Sequence, residues 1–171
     1  MIQMFLVVRV FHVLFGAAWL GAAVFNAFFL MPAMQEAGPD AGKVMAALMR
    51  RKLPTFVASI SGLTVLSGLY LYWRFTNGFD PALRGSRSVM VFGTGGVLGM
   101  TAAILAVSVV TRSMKRAVQI MGQAASTADT TARAALMDRA AVLRHRARVF
   151  ASIVAVLLIL TIMAMAAGHY V

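Results

Sequence analysis

The chain contains no cysteine among its 171 residues, so a disulfide framework and any cysteine-ligated metal centre are excluded. Charge is also scarce: charged residues make up 12% of the sequence, about half the usual share for soluble domains. Acids are scarcer still. The five are Glu36, Asp40, Asp80, Asp129 and Asp138, and all lie outside the apolar stretches. No carboxylate pair, Ser-His-Asp set or HExxH motif can be assembled, which leaves no hydrolase or transferase constellation. Hydrophobic residues, in contrast, make up 61%, and mean hydropathy is +0.84. Disorder is thereby excluded, and a water-soluble enzyme is disfavoured.

The apolar residues are not evenly spread. Four stretches carry no charge: Val10–Met34, Leu53–Trp73, Val89–Thr111 and Val149–Ala167. Each is near or above the roughly 20 residues that cross about 30 Å of hydrocarbon at about 1.5 Å per residue. None alternates like a strand, and an open sheet cannot span lipid. The expected fold is all-α: one four-transmembrane-helix up-and-down bundle over residues 1–171. Its spans lie at about 4–34, 53–73, 89–111 and 149–168. The start does not read as a cleaved signal, because its only basic residue, Arg9, abuts a run too long for an h-region.

Basic residues orient the bundle. Twelve of the sixteen Lys and Arg fall between spans one and two or between spans three and four. Four (Arg9, Arg74, Arg84 and Arg87) fall at the opposite ends. The positive-inside rule then expects both termini on the outer side and the basic segments in the cytoplasm. This accounts for the net charge of +11 without nucleic acid, for which no aromatic-interleaved basic motif is present. Membrane lipid headgroups are the expected partner for that charge.

Among the connections, Arg112–Arg148 is too long for a plain loop. Its flanks are rich in Ala, Met, Leu and Arg, so spans three and four are expected to continue as a cytoplasmic helical hairpin, with Asp129 capping the returning helix. Asp40 is expected to cap a short helix ending near Arg51, and Pro54 to open span two. Pro32 and Gly38-Pro39-Asp40 are expected to end the first helix. Asn77-Gly78 and Asp80-Pro81 mark turns. Tyr70, Tyr72 and Trp73 form an aromatic anchor at the interface.

Glycines at 93, 95, 96 and 99 suggest a nucleotide loop only until their context is considered. No Gly-Lys-Ser/Thr follows, and the run lies inside an apolar span. Gly95, Gly99 and Ala103 instead form a small-residue stripe for close helix packing. Gly16, Gly21, Gly62 and Gly68 read the same way. Ser59, Ser61, Thr64 and Ser67 are expected to bond to their own backbone or across helices.

Three histidines carry most of the remaining chemistry. His12, Trp19 and Asn26 share one face of span one, since seven residues nearly complete two turns, and that face should meet the bundle. His169 follows span four at a similar depth, next to a span adjacent to the first. The pair His12 and His169 is therefore a candidate for axial haem ligation or copper binding. Met1, Met4, Met90, Met163 and Met165 are candidate thioethers for Cu(I). As simpler alternatives, His12 hydrogen-bonds a neighbouring helix and His169 is an interfacial residue. His145, among Arg144, Arg146 and Arg148, reads as a surface residue.

The string Phe11-His12-Val-Leu-Phe-Gly-Ala-Ala-Trp19-Leu-Gly21, followed by Pro32-Ala-Met, resembles the opening helix of copper-resistance protein D-like membrane domains. A similar His-to-Trp helix occurs in HemJ-type protoporphyrinogen oxidases. Span two, with Thr64 and Ser67-Gly68-Leu69-Tyr70 after Arg50-Arg51-Lys52, is similar too. The resemblance covers mainly residues 8–72. It implies a module of a bacterial inner membrane that binds haem b or copper for electron transfer or copper handling, with His12 as ligand and Trp19 as its packing neighbour. The chain lacks the basic residue that HemJ-type proteins carry after span one. Other readings are a non-catalytic subunit of a larger membrane complex or a small transporter. The absence of intramembrane carboxylates speaks against proton coupling in the transporter.

Overall fold

The computed structural model describes residues 2–38 and 41–171. Helix α1 (Ile2–Phe25) passes through a π-helical turn (Asn26–Leu30) into α2 (Met31–Glu36). A short α3 (Ala41–Arg50) precedes α4 (Leu53–Phe75). Helix α5 (Arg87–Leu105) runs through a second π-helical turn (Ala106–Thr111) into α6 (Arg112–Ser126), and α7 (Thr130–Ala167) returns. Among the described residues there is no strand, and four helical stretches are long and apolar enough to cross a membrane. The all-α four-span bundle is therefore what the chain forms.

The ends of these elements follow their local chemistry. Asp129 accepts from the backbone N–H of Thr131 at 2.8 Å and of Ala132 at 3.4 Å, which caps α7 as expected. Pro54 sits in the first turn of α4, where its missing N–H costs nothing. Asn77 and Gly78 adopt φ of 48° and 79°, and Asp80 accepts from Ala82 N at 2.9 Å. The capping assigned to Asp40 lies outside the described residues.

Pro32 does not end the first helix. Its pyrrolidine ring would crowd the carbonyl one turn back. The preceding π turn, closed by Met31 N–H donating to Asn26 O, widens the ladder there, and the helix continues to Glu36. The chain then leaves through Gly38 at φ 56°.

Helices α5 and α6 together make one rod of 40 residues, and α7 has 38. At about 1.5 Å per residue such rods are about 60 Å long, twice the hydrocarbon thickness. The expected helical hairpin beyond spans three and four is therefore present. It is held by alanines: Ala117 and Ala124 on α6, and Ala140 and Ala147 on α7, are all buried. Each pair is seven residues apart, so each lies on a single helix face. With no side chain beyond Cβ there, the two backbones approach closely.

Within the bundle, α1 packs on α4, α5 on α7, and smaller contacts join α4 to α5 and α1 to α7. The core draws on every span: Trp19, Ile60, Ala102, Val154 and Leu158. A second layer of Ala27, Ala151 and Ala155 lies nearer the hairpin. Large apolar residues such as Val10, Leu66, Val97 and Met163 face outward. In lipid that exposure carries no hydrophobic cost, so association depends on close packing and interhelical hydrogen bonds.

The glycines divide accordingly. A Cβ on Gly95 would come 3.2 Å from Ala164 Cβ and 3.1 Å from Met165 Cε, and one on Gly99 3.3 Å from Thr161 Cγ2. Their stripe is thus the α5–α7 contact, joined by fully buried Ala102 more closely than by Ala103. Gly16 meets Thr64. Gly21 and Gly62 depart from the expected packing role, since nothing lies within 4 Å of a Cβ at either position. Both fall on outward faces of their helices.

Candidate functional site

The bundle end that carries the termini holds two of the three histidines, in contrasting settings. His12, three turns into α1, lies half-buried against α4. Its Nδ1 is 3.0 Å from the Thr64 carbonyl oxygen and 3.0 Å from Ser67 Oγ. A carbonyl can only accept, so Nδ1 carries the ring proton and donates. Ser67 is compatible with this, because its own hydroxyl donates to Leu63 O at 2.6 Å and leaves a lone pair for the imidazole. The ring lies against Gly68, where a Cβ would come within 2.9 Å of His12 Cε1. Glycine is the only residue whose side chain leaves room for the ring at this point.

These contacts fix the tautomer. In a neutral imidazole with Nδ1 protonated, Nε2 has a free lone pair. Among the described residues nothing is hydrogen-bonded to it. A metal-ligating histidine typically has this arrangement, with one nitrogen donating to a carbonyl and the other presented to the metal. The expected interhelical hydrogen bond and the expected ligand role therefore use different nitrogens of the same ring.

His169 is exposed beyond the last turn of α7. Arg9 Nη2 donates to its Nε2 at 2.6 Å. Guanidinium has no acceptor, so this nitrogen is the accepting one and its lone pair is already engaged. The imidazole edge meets the Phe92 ring at 5.1 Å between centroids. Gly168 lies so close to Phe92 that a Cβ there would sit 2.8 Å from the ring. The Ser88 hydroxyl donates to the Val171 carbonyl oxygen. The α7 end is thereby tied to α1 through Arg9 and to the start of α5 through Ser88 and Phe92. Among the described residues no hydrogen bond or ring contact joins His12 to His169; Arg9, which bonds His169, lies one turn from His12 on α1.

Trp19 is buried, at 3% exposure, in the four-span core two turns below His12. Asn26 is half-buried at the first π turn, and its side chain makes no hydrogen bond among the described residues. His145 is exposed, as expected. Of the candidate thioethers, Met4, Met90 and Met163 face outward and Met165 packs at Gly95, while Met1 lies outside the described residues. Among the described residues no group of three or more His, Asp or Glu side chains converges.

Two clefts among the described residues bear on the site, and neither is lined by His12. One, of about 380 Å³, is apolar and open between α4 and α5, bordered by Val65, Met100 and Ile104. The other, of about 220 Å³, lies under the connection between α4 and α5, between Tyr72, Thr76, Asp80 and Arg84. Above it, the aromatic anchor does two jobs. Tyr70 lies tilted against Trp73, 6.3 Å between ring centroids, while Tyr72 reaches across to α5, with its hydroxyl 3.4 Å from Val89 O.

Residue types alone put His12 on the bundle face but do not reveal the residues that hold it. Thr64, Ser67 and Gly68 were legible only as glue and packing. Their spacing of three and one puts all of them on one turn of α4, which is the signal for a shared partner. Arg9 as the partner of His169 gave no signal at all, because 160 residues separate them. Comparison with known protein families, with characterised proteins and with solved structures found no match for this chain.

Proposed function

We propose that this integral membrane protein presents His12 Nε2 to a metal centre near the membrane face that carries its termini, and that haem b is the group held there. The observation that carries this reading is the fixed Nδ1–H tautomer of His12, locked by Thr64 O, Ser67 Oγ and Gly68. The likeness of residues 8–72 to copper-resistance protein D-like and HemJ-type membrane helices supports it. The donor set favours haem over copper. A haem iron can be held by one protein imidazole, whereas protein copper sites combine several nitrogen and sulfur donors. His169 serves as a second ligand only if Arg9 releases its Nε2.

A bound haem would supply one-electron exchange, and electron transfer is the activity proposed. His12 orients and holds, Ser67 and Thr64 maintain its tautomer, and Trp19 packs the core below. We propose that the termini lie on the outer side and the hairpin in the cytoplasm, by the distribution of Lys and Arg, and that the membrane is a bacterial inner membrane, as the likeness of residues 8–72 implies.

The experiment is a reduced-minus-oxidised optical spectrum of purified protein expressed with haem and copper available, together with bound-metal analysis. Haem bands that vanish in His12→Ala while helix content persists are the expected result. Folded protein without haem bands or copper overturns the reading. A second reading, an accessory subunit of a larger membrane complex, is favoured by the open outward positions of Gly21 and Gly62, which leave room for a neighbouring helix. A single-chain mass in native mass spectrometry from mild detergent counts against it.

A further inference from the structure

We infer that the base of the α6–α7 hairpin is a binding collar for the headgroups of anionic phospholipids. Arg112, Lys115 and Arg116 occupy the first turns after the apolar run of span three. Arg144, Arg146 and Arg148 occupy the last turns before that of span four. All six lie within about five residues of the hydrocarbon boundary, which is about 8 Å along a helix. The headgroup zone of one leaflet is about that deep. No acid lies in either segment; the two hairpin acids, Asp129 and Asp138, are farther out.

Packing determines where these cations point. Ser113, Ala117 and Ala147 are buried between the helices, so the α6–α7 seam uses the small residues and turns the long basic ones outward. Five of the six are exposed and Arg148 is half-buried. Among the described residues none of them forms an ion pair. Arg146 lies 5.9 Å over the Phe150 ring, the posture of a guanidinium held at headgroup level above an aromatic at the apolar boundary. Unneutralised cations at this depth meet lipid phosphate before any soluble partner, which is why the occupant is lipid rather than an acidic protein.

The test measures lipid selectivity of the full chain reconstituted in phosphatidylcholine vesicles, using spin-labelled phosphatidylglycerol or spin-labelled phosphatidylcholine. The expected result is at least about a three-fold preference for phosphatidylglycerol, shrinking as salt rises. The variant R112Q/K115Q/R116Q/R144Q leaves Arg146 and Arg148 in their packed positions and should lose at least half of that preference. Arg50, Arg51 and Lys52 stand at the same bundle end and account for a residue of it. The distal variant R133Q/R139Q should leave it unchanged. Equal association of the two lipids overturns the inference and leaves the basic surface to an acidic protein partner. So does an equal loss in the distal variant, which would mean net charge rather than a collar. Phosphate and chloride at matched ionic strength should act alike; displacement by phosphate alone would mean a free-phosphate site and also overturns it. If the collar variant fails to fold, the lipid preference of the unmodified chain and its response to salt still decide.

Discussion

Gly68→Ala tests the arrangement around His12 most directly. The added methyl would sit 2.9 Å from His12 Cε1, where ordinary contact is about 3.5 Å or more. The ring must therefore retreat by roughly half an ångström or more. Its Nδ1 bonds to Thr64 O and Ser67 Oγ, both 3.0 Å, would then stretch to about 3.5 Å, beyond useful hydrogen bonding. Interhelical hydrogen bonds in membranes average about 0.6 kcal/mol each, so two lost bonds plus about 1–3 kcal/mol of overpacking strain amount to about 2–4 kcal/mol. Gly62→Ala is the control. It lies on the same helix with nothing within 4 Å of a Cβ, and it should change stability by less than about 0.5 kcal/mol. Reversible unfolding in mixed micelles measures both. The double variant His12→Ala/Gly68→Ala should lose less than the sum of the singles, because His12→Ala removes the ring that the Gly68→Ala methyl collides with. If Gly68→Ala is as mild as Gly62→Ala, or if the cycle shows no coupling, His12 does not rest on Gly68 and the tautomer argument fails.

Gly95→Val should destabilise the bundle by about 1–3 kcal/mol, since Ala164, Met165 and the Thr161 carbonyl already surround a Cβ there, while Gly96→Val one residue away meets open space. The same micelle unfolding separates the two. Asp129→Ala removes the carboxylate that accepts from Thr131 and Ala132, and should cost about 1 kcal/mol, seen as faster amide exchange in the first turn of α7 rather than in the spans. Ala147→Leu should wedge the α6–α7 seam open and expose the hairpin to protease. Val142→Leu, at a position 68% exposed, should not. Arg9→Gln should free the α7 terminal residues, detected as increased mobility of a spin label placed after His169, because the guanidinium bond to Nε2 is the tie from α1.

What the sequence alone determined was set by local chemistry and by the solvent. Four uncharged stretches without strand alternation must be helices, because lipid requires every backbone polar group to be satisfied and the only other solution is a closed barrel of alternating strands. Asp129, Pro54, Asn77-Gly78 and Asp80 act within a few residues of themselves, so their roles were legible. The hairpin followed from the helix-favouring Ala, Met, Leu and Arg of its two flanks. Pro32 misled, because a proline normally interrupts a helix. Here a π turn just before it absorbs the ring, and Ala27 and Met31 at that turn pack with Ala151 and Ala155 of α7 and with Val110 of the second π turn.

Tertiary structure decided which of several equivalent small or polar residues matter. Gly16 and Gly68 differ from Gly21 and Gly62 only in rotation about their helix axes. That rotation is a property of helix pairs, not of one helix's sequence. For the same reason His12 and His169 looked alike in the chain and are unlike in the molecule. One turns its protonated nitrogen into α4 and leaves the other nitrogen free, whereas the other histidine already accepts from Arg9. Depth in the membrane was readable from the apolar runs, but the hydrogen-bond partner that sets each tautomer exists only once four helices have packed.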